Sequence, residues 1–200
     1  MLAVGSLVAS ASVARAAGPC PKGHLLWQHA GLKMVGVSHG EGNIALDVAQ
    51  GRRCWRWQWS VVNEYDTFSH FVVAGGRVAF IWEAAADPDY SLLSVGWISI
   101  RQHAWRRTVL SGSDVPQQFP YNDIVLRLAA DGGMAIAGGS TAAEQEVDEL
   151  EPSSKKHALR TRVVAHDVPT GIRAKTLAID DTTISWLEGD ATTGSAPRQR

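Results

Sequence analysis

Cysteine is nearly absent from this chain: two residues in 200, Cys20 and Cys54. Neither has the spacing of a zinc knuckle or a redox pair, and at this length a hydrophobic core can form without metals or many disulfides. A surplus of one charge is missing too. Nineteen Lys and Arg stand against twenty Asp and Glu, for a net charge of −1. That excludes the electrostatic footprint of a nucleic-acid or anionic-membrane binder. No apolar run is long enough to form a transmembrane helix. There is no G-x-S-x-G, P-loop, dinucleotide fingerprint or H-E-x-x-H. The seven His residues show no metal-ligand spacing. No catalytic residue, metal ligand or cofactor is assigned.

Outside the apolar N-terminal run, helical periodicity is also lacking, with Ala142–Leu150 as a candidate exception, and period-two segments bounded by Gly and Asp dominate. Phe71–Trp82 reads as strand, Gly75-Gly76 turn, strand. Leu128–Ile136 and Leu177–Leu187 repeat the plan, and Val35–Leu46 is a weaker copy. A second hairpin signature, Asp-Val-x-x-Gly-x-Arg, occurs at 47–53 and again at 167–173, with Ala45 and Ala165 two residues before each copy. Val95–Leu110 is a degenerate middle copy with Ala104 in place of the turn glycine. The expected fold is all-β, with about twelve short antiparallel strands in three four-stranded, propeller-blade-like repeats. It forms an incomplete propeller or an open sandwich.

The acidic residues Glu144, Glu146, Asp148, Glu149 and Glu151, followed by Lys155, Lys156, Arg160 and Arg162, read as a charged loop insertion. Such a loop is a solvated excursion or, alternatively, a partner- or calcium-binding loop. Residues 2–13 are apolar or small and lead into Ala14-Arg15-Ala16, an A-x-A cleavage pattern. They read as a secretory signal peptide over 1–16, with the alternative of a buried helix or strand of the fold. No Lys or Arg precedes the run, so the true start lies upstream in that reading. One β-repeat domain is expected over 17–190 and a flexible tail over 191–200. In an exported chain Cys20 and Cys54 are expected to pair, worth roughly 3–4 kcal/mol in the chain-entropy model, the alternative being two free thiols with one of them buried.

These features together resemble secreted β-propeller-like repeat proteins of high-GC Gram-positive bacteria. The resemblance is carried by the exported N-terminus, the two Asp-Val-x-x-Gly-x-Arg segments, the turns before Val78, Met134 and Thr183, and the late strand pair Leu177-Ala178-Ile179 and Ile184-Ser185-Trp186. It covers about residues 32–190. A propeller closes with typically four to eight blades. Three units imply closure with partner chains, a fragment, or an open array.

Eight tryptophans are many for this length, and Trp55, Trp57 and Trp59 alternate with Arg56, Gln58 and Ser60. In a strand, alternation puts the three indoles on one face, in a row of about 13 Å. Such rows bind sugar rings, with Arg56 as a donor at the rim, or they bind protein partners. They also pack between sheets as core. His166 beside Asp167 suggests acid–base chemistry only weakly, since strand neighbours point to opposite faces. Asp47 and Asp167 read as turn-stabilising residues, and Asp87-Pro88-Asp89-Tyr90 reads as a Pro-initiated turn. The expected function is a non-catalytic extracellular binding or interaction module of the cell envelope. Its partner is a glycan or a protein, and a homo-oligomer fits the open sheet edges. The alternatives are a glycan-active hydrolase or lyase drawing on Glu64, Asp66, Glu83, Asp87 and Asp89, and a structural self-assembling subunit.

Overall fold

The computed structural model describes residues 11–17, 24–29, 31–38, 43–50, 53–60, 67–87, 90–99, 102, 104–113, 122–139, 145–155, 157–166 and 168–200. Within these, every regular element is a strand, and all named strand pairs are antiparallel. The chain divides into two compact units, Met1–Asp66 with Ala84–Asp87 and Thr67–Glu83 with Pro88–Arg200. One domain had been expected.

The first unit is built on β1 (Ala11–Ala17), β2 (His24–His29), β3 (Leu32–Ser38), β4 (Asn43–Gln50) and β5 (Arg53–Ser60). They form sheet 1 in the order β1-β5-β4-β3-β2. Gly31 takes a φ of +78° in the turn between β2 and β3, a conformation that glycine adopts without strain. Leu32, Met34, Val48 and Cys54 are buried, and Met34 sits opposite Val48 across the ladder. Leu32 and Met34 face this core and Lys33 between them is exposed, as period two requires.

The second unit holds three sheets. Sheet 2 is β6 (Thr67–Ala74), β7 (Arg77–Asp87), β8 (Tyr90–Ser99) and β9 (Ala104–Ser113). Sheet 3 is β10 (Asn122–Leu128), β11 (Met134–Gly139), β12 (Glu146–Pro152) and β13 (Leu159–Ala165). Sheet 4 is β14 (Ile172–Ile179), β15 (Thr183–Glu188) and β16 (Thr193–Pro197). Each is a simple meander, and β10 lies beside β6 on one side and β14 on the other. The sheets therefore follow one another as blades do, with none closed into a barrel.

Sheet 3 is the middle layer and is buried on both faces. Met134 and Ile136 pack with Ala79, Ile81, Leu93, Val95 and Trp97 of sheet 2. Their neighbours Ala135 and Ala137 face the other way and pack with Ile172, Leu177, Ile184 and Trp186 of sheet 4. Large side chains thus fill one gap, and small ones admit the Trp186 ring to the other. The outer strands are tied as well. Arg106 Nη1 donates to the carbonyls of Ser153 and Ala158 at 2.7 and 2.9 Å, so β9 grips the β12–β13 turn. The Trp105 and His157 rings stack at 4.2 Å beside it.

Among the described residues four strands fall where none was expected, giving sixteen in four sheets where about twelve in three repeats were expected. β1 and β2 lie in the segment read as signal peptide and mature N-terminus. The presumed charged loop contains β12, and the presumed flexible tail contains β16, with Arg198 buried just beyond it. The two Asp-Val-x-x-Gly-x-Arg segments are not structural equivalents. Residues 47–53 join β4 to β5 within sheet 1, where Gln50 pairs with Arg53. Residues 167–173 lead from β13 in sheet 3 to β14 in sheet 4. Gly171 in the second of them takes a φ of +74°.

Filling of both faces of sheet 3 has an asymmetric consequence. Ile136→Ala is expected to cost about 2–5 kcal/mol through a cavity. Ala137→Leu is expected to cost about 1–3 kcal/mol through overpacking against sheet 4. Urea unfolding of the two variants checks both; a neutral Ala137→Leu would show that this gap is not closed.

Candidate functional site

The best-built polar site among the described residues surrounds the turn between β10 and β11. The turn closes on itself, with Ala129 N–H donating to Gly133 O at 2.8 Å and Gly132 N–H to Ala129 O at 3.1 Å. Asp131 Oδ1 accepts from Gly133 N–H at 3.1 Å, the local bond for which Asp is favoured in turns. Neighbours then hold it from outside. Arg77 donates to Ala130 O, and its guanidinium lies 5.0 Å from the centroid of the Trp97 ring. Trp97 Nε1–H donates to Gly132 O at 2.8 Å in a buried position. Arg198 Nη2 meets both oxygens of Asp131 at 3.0 and 3.1 Å.

Arg198 is the centre of the charged part. Its side chain is 0 % exposed. Nε donates to Glu151 Oε1 at 2.6 Å and Nη1 to Asp180 O at 2.7 Å, while its own N–H donates to Thr182 O. The guanidinium therefore joins the turn of sheet 3, strand β12 and the β14–β15 turn of sheet 4. Glycine is required at 133, because a Cβ there would stand 1.9 Å from Arg198 Nη2 and 2.6 Å from Glu151 Oε1. Glu149 completes the set. It accepts from Arg162 Nε at 2.6 Å and from Gln199 N–H at 2.7 Å.

The electrostatics follow from this geometry. Burial alone raises the Asp131 pKa, but hydrogen bonds from Arg198 and Gly133 and the charges of Arg198 and Arg200 outweigh it and hold the carboxyl below its ordinary range. Burial likewise works against the Arg198 charge, and Glu151 and Asp131 more than restore it. The three carboxylates are each engaged by a guanidinium. What the set can do chemically is lock elements together.

Asp148 is different. It lies on the opposite face of β12 from Glu149, opposite Ile136 and Val163, and is 5 % exposed. Its Oδ1 has no hydrogen-bond partner. Burial, with a smaller contribution from Glu146, pushes its pKa up to about 7. This carboxyl is half-protonated at neutral pH.

The residues expected to bind ligand are only partly placed. β5 pairs with β4 without interruption, Val48 opposite Trp55, Asp47 opposite Arg56, Leu46 opposite Trp57 and Ile44 opposite Trp59. The side chains of Trp55, Arg56, Trp57 and Trp59 lie outside the described residues, as do those of Asp47, Glu83 and Asp87. Cys20, Glu64, Asp66, Asp89 and Asp167 lie outside them altogether. Cys54 is buried at 2 % exposure, and His166 is exposed just after β13. Among the described residues, no group of three His, Cys, Asp or Glu is arranged to hold a metal, and no helix is long and apolar enough to cross a membrane. No protein-family model matches the chain, and no curated protein matches it.

Sequence reasoning missed Asp131, Asp148, Glu149, Glu151 and Arg198 as a structured group. A signal for part of it exists. Glu149 and Glu151 alternate with the same period as Arg160 and Arg162, and a hairpin brings Glu149 opposite Arg162 and Glu151 opposite Arg160. Alternating opposite charges across a Pro-Ser-Ser turn mark a strand pair, where the same letters read without register suggest a solvated loop.

The raised Asp148 pKa implies a pH-dependent stability. The native state holds this proton more tightly than the unfolded chain, so the penalty is absent below about pH 4, grows as pH rises from 3.8 to about 7, and is complete above that. Asp148→Asn removes it. The variant is expected to exceed wild type in unfolding free energy at pH 8, by on the order of 4 kcal/mol at 1.36 kcal/mol per unit. The two should converge near pH 4. Denaturant titrations at pH 4, 6 and 8 check this; a difference that does not change with pH would contradict it.

Proposed function

We propose that this protein is a non-catalytic binding module exported to the cell envelope, with a glycan or a protein partner bound along β5 at Trp55, Arg56, Trp57 and Trp59. The observation that carries the reading is the unbroken β4–β5 register from Asn43–Ser60 to Gln50–Arg53. A regular ladder preserves the alternation on which an aromatic row depends. The fate of the described carboxylates adds support, because Asp131, Glu149 and Glu151 are bound into the architecture by arginines. The succession of blade-like sheets fits the resemblance to secreted propeller-like repeat proteins, a class in which fold alone does not supply the ligand.

Export rests on the apolar leader and the Ala14-Arg15-Ala16 pattern. That Cys54 is buried and not free supports its pairing with Cys20 in an oxidising compartment. One observation favours the alternative for the leader: Ala11–Ala17 pairs with β5 as a strand, which keeps the segment in the folded chain. A second reading, self-assembly, is favoured by sheet 4. It has three strands where sheets 2 and 3 have four, and among the described residues β16 is its edge strand.

Co-sedimentation with insoluble polysaccharides and peptidoglycan tests the binding reading. The wild type is expected to pellet with one of them, and Trp55→Ala and Trp57→Ala to remain in the supernatant while keeping the wild-type circular dichroism spectrum. A folded wild type that pellets with none would remove the glycan and leave the protein partner as the ligand.

A further inference from the structure

Two arginine–tryptophan stacks lie on opposite faces of sheet 2, and only one of them has a structural employment. Arg77 stacks on Trp97 toward sheet 3 and donates to the Ala130 carbonyl of the turn described above. Arg107 stands on the other face. Leu93, Val95 and Trp97 of β8 point toward sheet 3, so Ser94 and Gly96 lie on the opposite side. Arg107 sits directly across from Gly96 in the ladder. From there its guanidinium reaches the Trp82 ring, 5.2 Å from the centroid.

The arrangement is built for that reach. A Cβ at Gly96 would stand 3.0 Å from Arg107 Cβ and 2.5 Å from the Arg106 carbonyl oxygen, so only glycine leaves the passage open. The backbone of Arg107 is pinned, its N–H donating to His157 O at 3.1 Å beside a bridge to Ala158. Yet the charge goes unanswered. Arg107 Nη1 is buried without a hydrogen-bond partner, and no carboxylate pairs with the side chain among the described residues. Ser94 is 1 % exposed, and its Oγ also has no partner. Burial lowers the Arg107 pKa from its ordinary value with no anion to offset it. A desolvated cation and a desolvated hydroxyl on one face are costly to keep unless something binds them.

We propose that Arg107, with Ser94 on the same face and the Trp82 ring beneath, is an oxyanion-binding site that takes a carboxylate or sulfate group carried by the ligand. The guanidinium fork matches such a group with two parallel hydrogen bonds, and stacking on an indole fixes its plane. Arg107, Ser94 and Trp82 all belong to sheet 2.

Inorganic sulfate is the probe, titrated into the full chain at constant ionic strength with chloride as the balancing ion and followed by thermal unfolding. Wild type is expected to show a saturable rise in Tm. Arg107→Met is expected to keep only the non-saturating rise that excluded sulfate gives any protein. In chloride alone Arg107→Met should be at least as stable as wild type, because an unpaired buried cation has been replaced by an apolar chain. Arg107→Lys, which keeps the charge without the fork, should bind sulfate about tenfold more weakly. Ser94→Ala should weaken binding while leaving the fold intact. A wild type with no saturable response, or one shared equally by the Arg107 and Ser94 variants, would overturn the site. So would an Arg107→Met protein that is less stable in chloride, since Arg107 would then be a structural prop.

Discussion

Burying one sheet on both faces sets the terms for the second unit. Sheet 3 has sheet 2 against Met134 and Ile136 and sheet 4 against Ala135 and Ala137. A sheet enclosed in this way has a polar problem at its ends, where turn carbonyls and amides leave the ladder and must find partners. The β10–β11 turn meets the problem by taking those partners from its neighbours: Arg77 and Trp97 from sheet 2, Arg198 from beyond sheet 4. The same bonds that satisfy the turn join the three sheets. Arg198 matters most here, because a guanidinium with no exposure must have its charge answered, and Asp131 and Glu151 answer it. Removing one partner of such a pair leaves a buried charge, which is far more costly than never having had the pair.

Sheet 2 presents the converse case. Its two Arg–Trp stacks use the same residue types, yet Arg77 donates to a turn carbonyl of sheet 3 while Arg107 Nη1 finds no acceptor. Buried polar groups without partners are few in native proteins, and Arg107 Nη1 and Ser94 Oγ are two of them on one face. The binding reading of the chain and the oxyanion site on sheet 2 are separate claims, one resting on β5 and the other on β7, β8 and β9. They are compatible with a single acidic ligand but do not require one.

Much of the fold was legible in the sequence because it depends on two simple signals. Period-two patterning placed β6, β7, β11, β14 and β15, and Gly or Asp at Gly75-Gly76, Asp131-Gly132 and Asp180-Asp181 placed their turns. Four strands escaped for identifiable reasons. β12 carries four acidic residues in seven, and only its pairing with the basic β13 makes that a buried strand. β16 is Thr-Gly-Ser-Ala-Pro, a weak strand former held by β15 and by the anchor of Arg198. β1 lies almost wholly in a segment whose composition also suits an export leader, and β2 follows in what was read as the mature N-terminus. The two Asp-Val-x-x-Gly-x-Arg segments differ in setting, the first joining two strands of sheet 1 and the second leading from sheet 3 to sheet 4. Of the site, the turn at Asp131 was visible; its clamp was not, because Arg198 is distant in sequence and stands in what looks like a frayed end.

The claim that the β10–β11 turn holds the second unit together is tested most directly by native-state amide hydrogen exchange. The Ala129 and Gly133 amides are expected to exchange as slowly as those of β11, unlike the amides of the exposed Asp190–Thr192 turn, and to lose that protection in Arg198→Ala while β11 itself exchanges faster. Exchange of Ala129 and Gly133 in wild type at the rate of the Asp190–Thr192 turn would contradict it, since a turn that opens freely cannot be what joins three sheets.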